Sequence, residues 1–248
     1  MLILLPPSES KVNRRRGRPA DPSTWSFPAL GPTRARVAAA LAEVSRSPDA
    51  PALLGVSAGL LDEVARNLVL DSAPATPAAE VYTGVLYDAL GLATLDTAAR
   101  RRANRWLVVI SALHGAVRPG DRITAYRLSM GSSLPGLGPL ASLWRPALDQ
   151  VLPGVAARGV IVDCRSAPYA AAWRPGADLA PRWVQVRVPG ASHLAKHTRG
   201  LVARHLCAVG ATPRSVPALH DVVASAFEVH LEEPANARAP WVLDVVAP

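Results

Sequence analysis

Residues 106–113 read Trp-Leu-Val-Val-Ile-Ser-Ala-Leu. A short apolar run rich in β-branched residues is a strand buried on both faces of a sheet, because a strand with one wet face alternates. Two further runs share this character. Residues 1–5 (MLILL) are stopped by Pro6-Pro7, and residues 159–164 read GVIVDC. Residues 183–188 (WVQVRV) alternate and read as a half-exposed strand, and residues 226–231 and 241–246 form a last strand pair. Helical patterns lie between them. Residues 33–45 place Val37, Leu41 and Val44 on one face, and 58–68, 83–90, 97–104, 140–151 and 192–209 follow suit. Strands separated by helices predict an α/β (mixed α+β) fold. One compact domain over residues 1–248 is expected, with a mixed sheet flanked by helices.

The chain has 248 residues, half of them hydrophobic, which is enough for a substantial core. Charged residues make up 19 %, so wholesale disorder is excluded. The 24 prolines fall at element boundaries and form no polyproline tract. No apolar run reaches the roughly 18 residues of a membrane span. The start MLILLPPSESK has neither the charged n-region nor the cleavage site of a signal peptide. A cytoplasmic monomer without membrane contact is expected. Cys164 and Cys207 belong to no CxxC pair, so no zinc motif or disulfide framework is predicted, and Cys164 is expected to pack as a small hydrophobe. No cofactor and no resident metal are expected.

Net charge is +8, which favours polyanionic partners such as nucleic acid or nucleotides. The Ala-, Arg- and Pro-rich palette of a GC-rich genome accounts equally well for that charge. Lysine usage is sharper. Against 25 arginines there are two lysines, Lys11 and Lys196. Where positive charge alone is wanted this chain uses arginine; lysine is the compact charge whose pKa falls on burial, which suits catalysis.

Polar groups follow the ends of the buried strands: Ser8, Glu9 and Lys11 after the first, Ser111 and His114 after the second, Asp163, Arg165, Ser166 and Tyr169 after the third. Open α/β sheets bind ligands at the carboxyl ends of their strands. The long segment 118–131 carries Arg118, Tyr126 and Arg127, which would suit a phosphate and a stacked base; alternatively, an Asp121–arginine ion pair holds this loop together. Residues 134–139 (LPGLGP) have the look of a helix-hairpin-helix turn. There the N–H groups of Gly136 and Gly138 would hold one DNA phosphate. Pro and Gly would equally serve the turn geometry of an ordinary connection.

Six segments occur in order from Met1 to about Glu228: MLILLPPSESK, VYTGVLYDAL, ISALHGAVRPGDRITAYRLSMG, Trp144, VIVDCRSAPY and AKHTRGLVAR. Together they closely resemble the YaaA-type peroxide-stress protein family. The resemblance implies a compact α/β domain with a positively charged cleft and a role in surviving hydrogen peroxide by limiting damage from intracellular iron. It also implies binding of duplex and branched DNA through a helix-hairpin-helix. Carried over by motif, the cleft would be lined by Ser8, Glu9, Lys11, Tyr82, Thr83, Arg118, Tyr126, Arg127, Asp163, Arg165, Ser166, Lys196 and Arg199. His114 stands where members usually carry tyrosine, and would add a group titrating near neutral pH.

Three functions fit these residues. The first is a basic cleft binding DNA or a nucleotide-like anion. The second is an enzyme acting on a nucleotide, nucleobase or small anion. In it Lys196 or Lys11 is base or nucleophile, Glu9 or Asp163 is acid/base, and Ser8 stands close by. The third is an iron-binding protein using His193 and His197, which are one helical turn apart.

Overall fold

A computed structural model describes residues 1–190 and 192–246. Among them, seven strands form one sheet. In chain order these are Leu2–Leu5 (β1), Leu107–Ser111 (β2), Gly115–Val117 (β3), Ile161–Asp163 (β4), Trp183–Arg187 (β5), Val229–Glu232 (β6) and Trp241–Val245 (β7). Their spatial order is β6-β7-β5-β4-β1-β2-β3. The strands formed by the three apolar runs lie side by side at the middle and are wholly buried. β1 pairs in parallel with β2, Ile3 opposite Leu107, and with β4, Leu4 opposite Asp163. β5 and β7 continue the parallel set, and antiparallel β3 and β6 close the two edges. The fold is mixed α/β, and the carboxyl ends of β1, β2 and β4 are neighbours.

The longer helices are Gly31–Arg46 (α1), Val85–Leu90 (α2), Thr97–Trp106 (α3), Leu140–Ala156 (α4), Ser192–Val209 (α5) and Val216–Ala224 (α6). α4 buries Leu140, Trp144, Leu148, Leu152 and Ala156, one per turn. That stripe carries the helix through Pro153 to Ala156, past Val151, where the sequence expectation stopped. Trp144 packs against Gly115, whose φ of +70° and close approach to the indole exclude any side chain. Its indole N–H donates to the Ala112 carbonyl at 2.8 Å, fixing the turn between β2 and β3. α2 and α5 pack closely because Gly200 faces the Leu86 backbone with no room for a Cβ.

Several expectations change. Residues 58–68 are not one helix: 3-10 turns at Ala58–Leu60 and Arg66–Val69 flank the short helix Leu61–Ala65. α6 follows the Ser215 cap with Pro217 in its first turn, a helix start that looked like proline punctuation. β5 is mostly buried, with Trp183, Val184 and Val186 inside, because it is an interior strand with neighbours on both sides. The LPGLGP turn joins two short antiparallel strands, Ser133–Leu134 and Gly138–Pro139, and runs into α4. It connects strands where a helix-hairpin-helix would connect helices. Gly136 and Gly138 sit at φ of +72° and +71° with open space around them, so they serve the turn. No helix among the described residues is long and apolar enough to cross a membrane.

Candidate functional site

β1 ends at Leu5, and Pro6-Pro7 lead the chain out of the sheet. The segment that follows is stitched to the one preceding α2. Lys11 and Tyr82 form an isolated antiparallel bridge, and the Val12 N–H donates to the Val81 carbonyl at 2.9 Å. The Ser8 hydroxyl accepts the Thr83 N–H at 3.0 Å. The Tyr87 hydroxyl donates to the Pro6 carbonyl at 2.7 Å. These bonds hold a polar loop with few apolar anchors of its own at the carboxyl end of β1.

β2 brings its own polar end to the same place. The Ser111 hydroxyl accepts the His114 N–H at 3.0 Å and lies 2.8 Å from the Tyr126 hydroxyl. Tyr126 in turn is 3.2 Å from the Tyr82 hydroxyl. Burial raises the pKa of Tyr82 and Tyr126, so both phenols stay protonated. Lys11 lies against this hydroxyl chain, its Nζ 4.4 Å from the centre of the Tyr126 ring and 5.9 Å from that of Tyr82. It donates to the Ser8 carbonyl at 2.7 Å and the Glu9 carbonyl at 3.3 Å. Burial, with Arg127 and Arg66 nearby, pushes the Lys11 amine down to about 7 against the pull of Glu63 and Glu9. A protonated and a neutral amine are then both present near neutral pH.

His114 does not titrate near neutrality. Burial, helped by the charges of Arg34 and Lys11, pushes its pKa down to about 3. The ring packs edge-on against Trp25 at 4.9 Å and Tyr126 at 5.4 Å, and Nε2 is buried without a hydrogen-bond partner among the described residues. Tyr126 is itself 2 % exposed, so it cannot offer an open face to a nucleobase. Its ring lies instead against the Lys11 side chain.

Arg127 borders the cluster. Its guanidinium reaches Glu63 at 3.2 Å and the Glu9 carbonyl at 3.5 Å. Its backbone is gripped by Asn67: the Arg127 N–H donates to Oδ1 at 2.8 Å, and Nδ2 donates to the Arg127 carbonyl at 2.9 Å. Asn67 is buried and also reaches Ser45. Sequence reading missed Glu63, Asn67 and Tyr87. The signal for the first two was their i,i+4 spacing, which puts both on one side of the segment. The signal for the third was scarcity. The chain has four tyrosines, and three of them are linked here. The fourth, Tyr169, is half-buried; burial raises its pKa, with lesser influences from Met130, Ser129, Glu9 and Arg127.

Other expected site residues are not hydrogen-bonded into this cluster among the described residues. Asp163 and Arg165 form a buried bidentate pair, Nε to Oδ1 at 2.8 Å and Nη2 to Oδ2 at 2.6 Å. Trp183 completes the Asp163 shell at 3.1 Å, and Arg165 continues to the Tyr169 and Trp173 carbonyls. All of this ties β4 to the turn after it, and Ser166 opens the short helix Ala167–Ala170 there. Arg118 follows β3, which runs back along β2, so it lies at the opposite end of the sheet and donates to the Asn104 carbonyl at 3.0 Å. The neighbouring Asp121 holds the loop by accepting the Arg118 and Ser26 N–H groups, not through an arginine side chain. Arg199 ties α5 to the Val186 carbonyl at 3.1 Å. Lys196 is exposed on α5, as are His193 and His197. Among the described residues no group of three or more His, Cys, Asp or Glu is placed to hold a metal ion.

A family model described as peroxide stress protein YaaA matches residues 1–233. A UPF0246 protein of Streptomyces coelicolor is 48 % identical over 258 residues, covering 99 % of this chain and 98 % of its own. One from Corynebacterium efficiens is 41 % identical over 220 residues, covering 83 % and 84 %. One from Ruegeria is 32 % identical over 231 residues, covering 86 % and 88 %.

Proposed function

The chain belongs to the peroxide stress protein YaaA family, and from that premise we propose that it acts by holding a nucleotide-like anion at the Lys11–Arg127 cluster. The observation that carries this reading is the pairing of two cations at the carboxyl ends of β1 and β2. There the Lys11 ammonium has only backbone carbonyls as hydrogen-bond partners among the described residues. An anion there gains from both charges in partly desolvated surroundings. A small ligand fits this site better than duplex DNA. Arg118 and Arg199 are turned onto carbonyls, and Arg165 and Arg187 are paired with carboxylates, whereas duplex binding needs a continuous run of free cations along a groove.

The test is calorimetric titration of ADP, pyrophosphate and a DNA duplex into wild type and Lys11→Met at about 100 mM salt. ADP or pyrophosphate is expected to bind wild type and to bind Lys11→Met about tenfold more weakly. Tight duplex binding with no response to either small anion would replace this reading with the DNA one.

A second reading makes the same cluster catalytic, because an amine held near neutral pH can serve as base or nucleophile. Lys11 is its centre. Lys196 is exposed and Asp163 is spent on Arg165. Lys11→Arg separates the two readings: the charge survives and the titrating amine does not. Anion binding kept with turnover lost marks an enzyme.

A further inference from the structure

Lys11 and Arg127 are adjacent cations, and after burial the Arg127 charge is the largest influence lowering the Lys11 amine. Among the described residues the only ion pair made by either is Arg127 with Glu63, at 3.2 Å. Glu63 also pulls the Lys11 amine up, so its carboxylate serves both cations. The Glu63 side chain is 25 % exposed and that of Arg127 20 %, neither locked in the core nor freely hydrated. Glu63 rides on the five-residue helix Leu61–Ala65, which buries Val64 and leaves Leu61 53 % exposed. Arg127, by contrast, is fixed from behind by the two-way Asn67 bond. The guanidinium is therefore positioned independently of its carboxylate partner.

We propose that Glu63 is a resident stand-in for the ligand: its carboxylate occupies the place on Arg127 that an oxyanion of the ligand takes, and binding displaces it. This rests on the anion reading of the site. The chemistry shared by all such ligands is a terminal oxyanion. A group of higher charge displaces a carboxylate more readily than another carboxylate does. Glu63 thereby sets the specificity of the site, admitting polyanionic phosphates and rejecting simple monocarboxylates.

The experiment titrates pyrophosphate and, separately, acetate into wild type, Glu63→Gln and Lys11→Met. Circular dichroism first confirms that each variant is folded. Glu63→Gln is expected to bind pyrophosphate about tenfold more tightly than wild type, because the competing charge is gone. It is also expected to gain measurable acetate binding that wild type lacks. Should Glu63→Gln fail to fold, Glu63→Asp keeps the charge but shortens its reach and is expected to bind about threefold more tightly. If wild type binds pyrophosphate in a Lys11-dependent way and a folded Glu63 variant binds no tighter, the displacement is wrong while the anion site stands. If neither wild type nor Glu63→Gln binds pyrophosphate, both are wrong.

Discussion

Lys11 draws its properties from where the chain sets it down. A lysine on the surface is an ordinary cation; one pressed against Tyr126 beside Arg127 has its amine near 7. His114 is the complementary case. Its neutral ring sits between Trp25 and Tyr126, with the proton affinity of the folded state pushed far below the ordinary 6.5. The unfolded chain therefore takes up a proton that the fold refuses. The stability that follows from this is present above pH 6.5 and is lost as pH falls toward 3. His114→Phe should remove that loss. Between pH 6.5 and 5 the wild type is expected to lose about 2 kcal/mol more than the variant. Urea denaturation across that range reads the difference, and parallel curves would contradict the burial of His114.

At the level of elements, the strand ends decide what is chemistry and what is scaffold. The central strands were legible because WLVVISAL, MLILL and GVIVDC are apolar throughout, and only an interior position accepts such a run. The polar clusters after them were equally legible, since they break those runs. Their sorting was not. Ser8, Lys11, Tyr82, Thr83, Tyr126 and Arg127 converge through loop hydrogen bonds such as Thr83 to Ser8, and no local pattern encodes those. Asp163 and Arg165 look like site residues in sequence because buried charge is rare, yet they satisfy one another. Asp163→Asn should thus act on stability. Leaving the Arg165 charge unpaired inside the protein is expected to cost about 3–5 kcal/mol, read as a lower urea midpoint. A change under about 1 kcal/mol would return Asp163 to the list of free acid/base groups. Residues 58–68 show the opposite failure: a helical pattern breaks into a short helix between two 3-10 turns, the second of which holds Asn67 against the Arg127 backbone.

For the whole molecule, net charge is a poor guide to function. The +8 balance suggests a polyanion groove, but many arginines serve as clasps between elements. Arg204 holds the carbonyls ending α2, Arg102 those ending α5, and Arg34 spans Ser26, His114 and Ala116. Guanidinium groups suit that work because one side chain can satisfy several acceptors in a plane. What distinguishes the site is its half-buried lysine, and having only two lysines makes it directly measurable. Wild-type protein is treated with an amine-acylating reagent across pH 6 to 9, with and without ADP, and the extent of modification at Lys11 and Lys196 is read by peptide mass spectrometry. Lys11 labelling is expected to rise with a midpoint near pH 7 and to be suppressed by ADP, while exposed Lys196 labels equally with and without it. Lys11 labelling that ADP leaves untouched, at concentrations where ADP is bound, would contradict the assignment of the anion site.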